Sequence, residues 1–345
     1  MKKNLLSKFI LCGVLSTSVF MPLMGNLNAE EQSEFEKVQT ALMEKLEPLP
    51  QKDKDAQVAA IVSDLSNEFW VTESEGMKAA AEEFGAKIDI QAPESHTDAS
   101  GQLDIFNTML SKGAQAIITS PITESNLIPG IVEANNKGVK VINSGTKVKE
   151  DLLNEQNGYV DIQLEMDFYG QGKLAAEYII EKTGGKGKVA VLAGNEGSTN
   201  GDGRRDGALD AFKEAGMEVV QVVQADWDPQ KAFEATANII QANPDIVGIA
   251  CGNDDMGLAA VEALEEKDMN DQVVVVGVDF TSQAKEAIKE GKYDASVAMS
   301  PYLGGKQAVI IALKAIEGQK IDDAGETSPM AIVDSKNVDK FEDWK

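Results

Sequence analysis

The hydrophobic pattern from residue 56 onward alternates between short runs of Val, Ile and Ala and amphipathic stretches of helical length. Continuous apolar runs suit strands covered on both faces, and their alternation with helices indicates a parallel sheet. The predicted strands are 58–62, 86–92, 114–121, 139–145, 187–194, 217–226, 245–254 and 272–280. The predicted helices lie near 71–85, 98–112, 124–137, 167–182, 201–215, 229–242 and 255–266.

This pattern breaks near 150–160 and then restarts, so the chain carries two consecutive series of strands and helices of similar size. We therefore predict an α/β fold with two similar doubly wound parallel-sheet lobes. In an open parallel sheet, ligands bind beyond the carboxyl ends of the strands, where the strand order reverses. Two such lobes facing each other would place their strand ends on either side of one ligand cleft.

The predicted strand ends are rich in side chains that bind ligands. Asn and Asp after a strand are also common helix caps, an interpretation that fits Asp64, Asp254 and Asp255 about as well. Phe69, Trp70 and Trp227 do not cap helices, and rings combined with Arg, Asn and Asp are typical of a sugar site. The candidates are Ser63, Asp64, Asn67, Phe69, Trp70, Asn143, Ser144, Gly145, Thr146, Arg204, Arg205, Asp226, Trp227, Asp228, Asn253, Asp254, Asp255, Asp279 and Phe280.

The first 29 residues have the pattern of a secretory signal peptide. A basic start precedes an apolar run at 9–20, and Leu27-Asn28-Ala29 provides a plausible cleavage site. The apolar run is too short for a membrane span. Lipidation at Cys12 is the less favoured alternative, because bulky Leu11 precedes it and Cys12 lies inside the apolar run. We expect an exported protein, in which residues 30–55 form an acidic lead-in that is helical or mobile.

Charge and composition exclude several function classes. The formal charge is −25, and it falls to −28 without the three lysines of the first 29 residues. Such an acidic chain should bind neither nucleic acid nor an anionic membrane. Cys251 would be the one cysteine left, so no internal disulfide is expected. The single histidine, His96, is expected to be merely solvated, and we predict no metal and no cofactor.

Five local motifs in this order resemble the periplasmic ribose- and allose-binding proteins of ABC importers. The resemblance extends over most of 56–340. The motifs are SNEFW at 66–70, RRDGALDAF at 204–212, QADWD at 224–228, NDDMGLAA at 253–260 and VVGVDF at 275–280.

That resemblance implies two lobes joined by a three-strand hinge, with chain crossings near 160, 299 and 327. The implied ranges are a signal peptide at 1–29, the lead-in at 30–55, an N-terminal lobe of 56–160 plus 300–327, and a C-terminal lobe of 161–299 plus 328–345.

The family also implies a set of sugar-binding residues. Asn67, Phe69 and Trp70 would line the first-lobe wall with Ser63 behind them. Trp227 would stack opposite Trp70, so that these rings are exposed only in the open, empty form. Arg205, Asn253 and Asp279 would take ring oxygens or hydroxyls from the second lobe. Asn143, Thr146 and Met299 complete the predicted set.

Two hydroxyl-binding groups of the relatives are missing from this chain. An acidic residue is usual where this chain has Gly145 and Thr146, and a hinge glutamine is replaced by Met299. A buried hydroxyl left without a partner costs ~1–3 kcal/mol. A sugar alcohol, a deoxy or methylated sugar, or a small polyol therefore fits better than ribose or allose. Because Asn143, Ser144 and Thr146 could serve a hydroxyl there, a plain hexose or pentose stays open.

We thus expect a monomeric solute-capture protein that closes on a monosaccharide or sugar alcohol and delivers it to a membrane ABC permease. A periplasmic sensor that signals to a membrane receptor is the first alternative. An enzyme is the less favoured second one, with Asp226/Asp228 or Asp254/Asp255 as a glycosidase acid–base pair.

Overall fold

The computed structural model describes residues 33–164, 166–321 and 330–344. The predicted signal peptide and the predicted crossing near 327 lie outside these residues. The helices are α1 Glu34–Lys45, α2 Glu68–Phe84, α3 Ala99–Ser111, α4 Ile128–Asn136, α5 Glu150–Glu155, α6 Phe168–Thr183, α7 Thr199–Glu214, α8 Pro229–Ala242, α9 Asp254–Glu265, α10 Ser282–Lys289 and α11 Pro301–Ile316, with a short 3₁₀ helix at Val338–Phe341.

The first sheet has five parallel strands in the order β2-β1-β3-β4-β5. Its central strands are almost fully buried, which agrees with their mainly apolar sequences. We call this sheet with its covering helices the first lobe. The strands are β1 Gln57–Ile61, β2 Lys87–Gln91, β3 Ala116–Thr119, β4 Lys140–Ser144 and β5 Ile162–Leu164.

The second sheet has six strands in the order β11-β10-β9-β8-β6-β7, and only the β10–β11 pair is antiparallel. We call this sheet with its helices the second lobe. The α/β fold class and the parallel sheets predicted from the sequence are confirmed. The strands are β6 Lys188–Ala193, β7 Glu218–Gln224, β8 Ile246–Cys251, β9 Val274–Asp279, β10 Ala295–Ala298 and β11 Ala331–Asp334.

Two passages of the chain between the lobes begin and end at described residues. Strand β5 pairs with β4 in the first sheet, and helix α6 packs against β8 and β9 of the second, so the first passage lies between Leu164 and Phe168, shortly after the crossing predicted near 160. The second follows β10, since helix α11 returns to pack against α2, β3 and β4 of the first lobe.

Helix α2 begins three residues earlier than predicted. Asn67 caps it by accepting a hydrogen bond from the Phe69 amide at 2.8 Å, and Gly85 ends it in the left-handed conformation. Phe69 and Trp70 therefore lie on the first turn of the helix instead of in a loop. The start of the helix was not predicted from the sequence, because two large aromatic residues directly after a polar segment are an uncommon way for a helix to begin.

The acidic lead-in contains helix α1, which begins at a capping box formed by Ser33 and Glu36. Phe35 and Leu42 are buried, and the Phe35 ring packs against Tyr302 of α11 and Trp344 of the C-terminal tail. Residues 34–45 are thus a packed helix. Within the described residues, no helix is both long and apolar enough to cross a membrane.

Candidate functional site

A cavity of about 460 Å³ lies between the carboxyl ends of the two sheets. In the first sheet the strand order reverses between β1 and β3, and in the second it reverses between β6 and β8. The loops after these four strands supply much of the wall, as the strand order predicts. The lining residues are Ser63, Asp64, Ser66, Asn67, Phe69, Trp70, His96, Ser120, Pro121, Ile122, Gly145, Thr146, Met166, Phe168, Asn195, Asn200, Arg204, Trp227, Asp228, Pro229, Asn253, Asp255 and Asp279.

Four aromatic side chains line this cavity. Phe69 and Trp70 come from the first lobe, and their rings meet edge-on with centroids 5.0 Å apart. Phe168 and Trp227 come from the second lobe. The structure therefore brings together the three rings that the sequence singled out and adds Phe168, which follows β5 at the start of α6.

Trp227 is held by an unusual backbone at the end of β7. Asp226 and Trp227 have φ angles of 52° and 62°, a region that side chains other than glycine rarely occupy. A Cβ at Gly194 would come within 2.0 Å of the indole, so the absence of a side chain there lets the ring lie against β6. Local strain and a glycine together fix the direction of this ring.

Arg204, not Arg205, lies in the cavity wall. Its guanidinium donates to Gln171 Oε1 at 2.7 Å, to the Gly252 carbonyl at 2.7 Å and to Asp279 Oδ1 at 3.2 Å. Its Cζ lies 5.8 Å from the ring centroids of both Phe168 and Trp227. The side chain is therefore buried among fixed partners, all of which belong to the second lobe or the segment leading into it.

Arg205 lies one helical position further round α7 and points away from the cavity. It pairs with Asp202 at 2.6 Å and with Asp206 at 2.8 Å, both on its own helix. The sequence had named Arg205, and the structure places its neighbour Arg204 in the cavity wall, since successive helical residues differ by about 100° in direction. Which of the two arginines faces the cavity is decided by how α7 is placed relative to the second sheet.

The carboxylates beside Arg204 are strongly affected by burial. Removal from water raises the pKa of Asp279 to about 7, while the neighbouring Arg204 charge acts in the opposite direction. Burial and the Asp279 charge raise the pKa of Asp254 well above its usual range. Asp254 accepts from the Thr281 amide at 2.9 Å and faces the Tyr293 hydroxyl at 3.2 Å, so it supports the site from behind.

Two predicted asparagines have dual roles. Asn253 Oδ1 caps α9 through the Met256 amide at 3.0 Å, which leaves its amide nitrogen for the cavity. Asn67 caps α2, and its Nδ2 donates across the cleft to Asp255 Oδ2 at 2.6 Å. Capping and cavity lining are therefore not exclusive, because an asparagine has separate donor and acceptor atoms.

The end of β4 presents few polar groups to the cavity. Gly145 and Thr146 line it, and Gly145 has a φ angle of 96°, in the region that favours glycine. Asn143 does not line it, because its Nδ2 is directed to the Thr146 carbonyl at 2.9 Å and to Gln163 at 2.7 Å. Asn143 thus shapes the turn that carries Thr146.

A buried polar group lies behind this turn. Ser120 lines the cavity and donates to the Ser144 carbonyl at 2.5 Å, and Ser144 Oγ lies 3.4 Å from Glu73 Oε1. Glu73 is fully enclosed, and burial raises its pKa to about 8. Its Oε2 has no hydrogen-bond partner within the described part of the chain.

Met299 does not line the main cavity. It is buried at a smaller pocket between the lobes, with its sulfur 3.5 Å from Gln171 Nε2 and its carbonyl accepting from the Trp344 indole at 2.9 Å. Met299 was predicted to contact the ligand. In the structure it contacts Gln171, which in turn orients Arg204. The Met299 side chain therefore supports the cavity wall indirectly, through Gln171 and Arg204.

His96 is not merely solvated, as the sequence suggested. Its Nδ1 lies 3.1 Å from Asp64 Oδ2, its carbonyl accepts from Asn195 across the cleft at 3.0 Å, and it lines the cavity. Asn195 follows the predicted strand β6, so its place at a strand end was a usable signal. Met166, Ile122 and Pro121 gave no chemical signal in the sequence.

Comparisons with known proteins agree with this geometry. A family model described as a periplasmic binding protein domain matches residues 58–320. The chain belongs to this family. A D-allose-binding periplasmic protein of Escherichia coli (strain K12) is 32% identical to it over 282 residues, which cover 81% of this chain and 91% of that protein. A ribose import binding protein of Haemophilus influenzae is 30% identical, covering 77% and 87% of the two chains.

A solved structure shows the same relationship in three dimensions. An ABC transporter periplasmic solute-binding protein from Actinobacillus succinogenes, with bound D-allose, has a TM-score of 0.77 and 28% sequence identity. The match covers 83% of this chain and 99% of the other one. Helix α1 lies outside the residues that the family model matches.

Proposed function

We propose that this protein captures a neutral monosaccharide or sugar alcohol in the periplasm by closing its two lobes, and delivers it to an ABC permease. The observation that carries the proposal is a cavity with aromatic faces from both lobes around a buried, paired arginine. Flat C–H faces of a sugar ring stack on such rings, and hydroxyls bond to planar polar groups.

The pairing of charges supports an uncharged ligand. Among the lining residues that the structure describes, the basic side chains are Arg204 and His96. Arg204 is paired with Asp279 at 3.2 Å, and His96 lies 3.1 Å from Asp64. An anionic ligand would therefore find no cation without a carboxylate partner, and burial of an unpaired charge is costly.

The end of β4 bears on which neutral ligand fits. Gly145 supplies no side chain, and Thr146 and Ser120 supply the hydroxyls near it. We propose a ligand with few hydroxyls on that edge, such as an alditol, a deoxy or methylated sugar, or a small polyol. A plain hexose or pentose is the alternative, which the names of the allose- and ribose-binding relatives favour.

Further parts of the proposal concern the whole protein. We propose that residues 1–29 are a cleaved signal peptide, that the protein acts as a monomer without cofactor, and that it catalyses no reaction. The packing of α11 on the first lobe supports the assignment of 300–327 to that lobe with 56–160. Asp254 and Asp255 bond to Thr281 and Asn67 respectively, which supports the absence of an acid–base pair there.

A thermal-shift screen on protein stripped of bound solute tests the proposal. The panel comprises D-allose, D-ribose, alditols, myo-inositol and 6-deoxyhexoses, with a sugar phosphate as the charged control. At least one neutral solute should raise the melting temperature in a saturable way, by mass action. A rise with the sugar phosphate and none with any neutral solute would contradict the assigned ligand class.

A further inference from the structure

A glutamate of the first lobe and a serine of the second form a contact between the lobes outside the main cavity. Glu68 is the first residue of α2 in the first lobe, and Ser282 is the first residue of α10 in the second. Both Glu68 carboxylate oxygens lie 3.1 Å from the Ser282 amide nitrogen, and the Ser282 hydroxyl donates to Oε1. Neither residue lines the main cavity.

The amide that Glu68 accepts from belongs to a helix that already has a cap. Thr281 caps α10 through the Ala284 amide at 3.2 Å, which leaves the Ser282 amide without an acceptor inside its own helix. The Glu68 carboxylate, from the first lobe, accepts the hydrogen bond of this amide. The amino end of α10 is therefore completed only when the lobes are together.

The same carboxylate lies at the amino ends of two helices in different lobes. Glu68 occupies the first turn of its own helix, where a negative charge is favourable, and it also faces the first turn of α10. Opening the cleft would separate one of these two helix ends from the charge. Contact with Ser282 is thus specific to the closed arrangement and needs no ligand.

We propose that Glu68 is a positioning residue that latches the closed form by capping α10 across the cleft, independently of the ligand. The inference rests on the proposed function, since a capture protein needs to open and close. A contact that exists in only one of two states shifts the equilibrium toward that state. The latch would keep a fraction of the ligand-free protein closed and would slow ligand release.

Other bonds also cross the cleft. Asn67 to Asp255 and Asn195 to His96 join residues that line the cavity, so a ligand would act on them directly. The Lys147 amide donates to Thr199 Oγ1 at 2.9 Å outside the lining, but it involves no charged group. Glu68 and Ser282 border instead the smaller pocket that also includes Met299 and Lys285. Changing Glu68 therefore leaves every side chain of the cavity wall in place, and its effect on the wall is limited to the charge that Asp255 experiences, whose pKa is raised by burial and further by Glu68.

Ligand-free protein provides a test that does not depend on the proposed ligand. The protein is unfolded, washed free of solute and refolded, and nitroxide labels are attached at Glu94→Cys and Glu196→Cys. Both positions are exposed, in loops of opposite lobes, whereas native Cys251 is buried. Pulsed electron-spin resonance then gives the distance distribution between the lobes.

Glu68→Gln should lower the closed-to-open ratio roughly tenfold, because a charge-assisted hydrogen bond becomes a neutral one. Ser282→Pro should have a similar effect, since proline removes the amide hydrogen at a helix position that tolerates it. The double variant should open no further than either single variant, as expected of two partners in one interaction. Glu75→Gln, an exposed glutamate of the same helix, is the matched control and should leave the distances unchanged.

Identical distance distributions in the parent, Glu68→Gln and Ser282→Pro would overturn the latch, and so would additive effects in the double variant. A shift of the distances combined with no binding in the sugar screen would retain the latch and reject the proposed ligand class. Unchanged distances combined with sugar binding would reject the latch and retain the proposed ligand class.

Discussion

Replacing each of the two adjacent arginines tests the assignment of the cavity wall. Arg204→Gln removes a buried cation with three hydrogen-bond acceptors, while Arg205→Gln removes a half-buried cation paired on its own helix. The two variants lose the same charge from neighbouring positions. Any difference between them therefore comes from the place of each side chain in the structure.

The expected magnitudes follow from burial. Removing one member of a buried ion pair costs about 3–5 kcal/mol, because the other charge is left without a partner. Asp279 has a pKa of about 7 and can take up a proton near neutrality, which moves the expectation for Arg204→Gln to the lower end, about 3 kcal/mol. The pairs of Arg205 with Asp202 and Asp206 are partly exposed, so Arg205→Gln should cost about 0–1 kcal/mol.

The loss in Arg204→Gln should also depend on pH in a defined direction. Without the guanidinium, burial and the Asp255 charge act on Asp279 unopposed and raise its pKa further. The unfolded chain loses this proton at about pH 4, whereas the folded variant keeps it to a higher pH than the parent protein does, so the variant continues to lose stability between pH 6 and pH 8 where the parent's loss is ending. The deficit in the free energy of unfolding should therefore be larger at pH 8 than at pH 6.

Urea denaturation followed by tryptophan fluorescence at both pH values measures these quantities. Calorimetric titration with the best solute of the screen adds the affinity, which should be lost in Arg204→Gln and kept in Arg205→Gln. Equal stability losses in the two variants, or loss of binding with Arg205→Gln alone, would refute the assignment.

The remaining predictions concern the second-lobe ring and the buried glutamate. Trp227→Ala should weaken binding roughly 10²-fold, in line with the loss of a well-packed aromatic contact, and an unchanged affinity in calorimetry would reject that role. Glu73 has a raised folded-state pKa of about 8, so the stability that its proton provides falls as pH rises from about 4.5 to 8. Glu73→Gln should remove a decline of roughly 2–3 kcal/mol between pH 5 and pH 7 in urea denaturation, and parallel pH profiles would count against it.

Much of the fold was predictable because local pattern and tertiary structure agree. Long Val and Ile runs such as 272–280 are buried on both faces of a parallel sheet, and no other element type fits them as well. The short strands β5, β10 and β11 were not assigned as sheet strands from the pattern. Each has three or four residues in the structure, too few for a period to stand out.

Residues of the site could be predicted where a side chain suited to binding a sugar directly follows a predicted strand. Asn67, Trp70 and Trp227 follow strands and line the cavity. Whether Arg204 and Phe168 face the cavity depends on how helices α7 and α6 pack against the second sheet. The sequences of these two helices do not specify that packing. Gly203 and Gly207 show the reason: a Cβ at either would come within 3 Å of α6, so the close approach of the two helices sets which arginine faces inward.

The contacts around the cavity divide unevenly between the lobes. Arg204 is held by Gln171, Gly252 and Asp279, and the Trp227 indole lies against Gly194, all without help from the first lobe. In the first lobe, Asn67 uses its amide nitrogen on Asp255 of the second. Groups whose partners are all in one lobe keep their geometry when the cleft opens, whereas a group that bonds across the cleft loses its partner. The Arg204 and Trp227 part of the second-lobe wall is therefore pre-organised for the ligand, whereas the bonds of Asn67 with Asp255 and of Asn195 with His96 depend on closure.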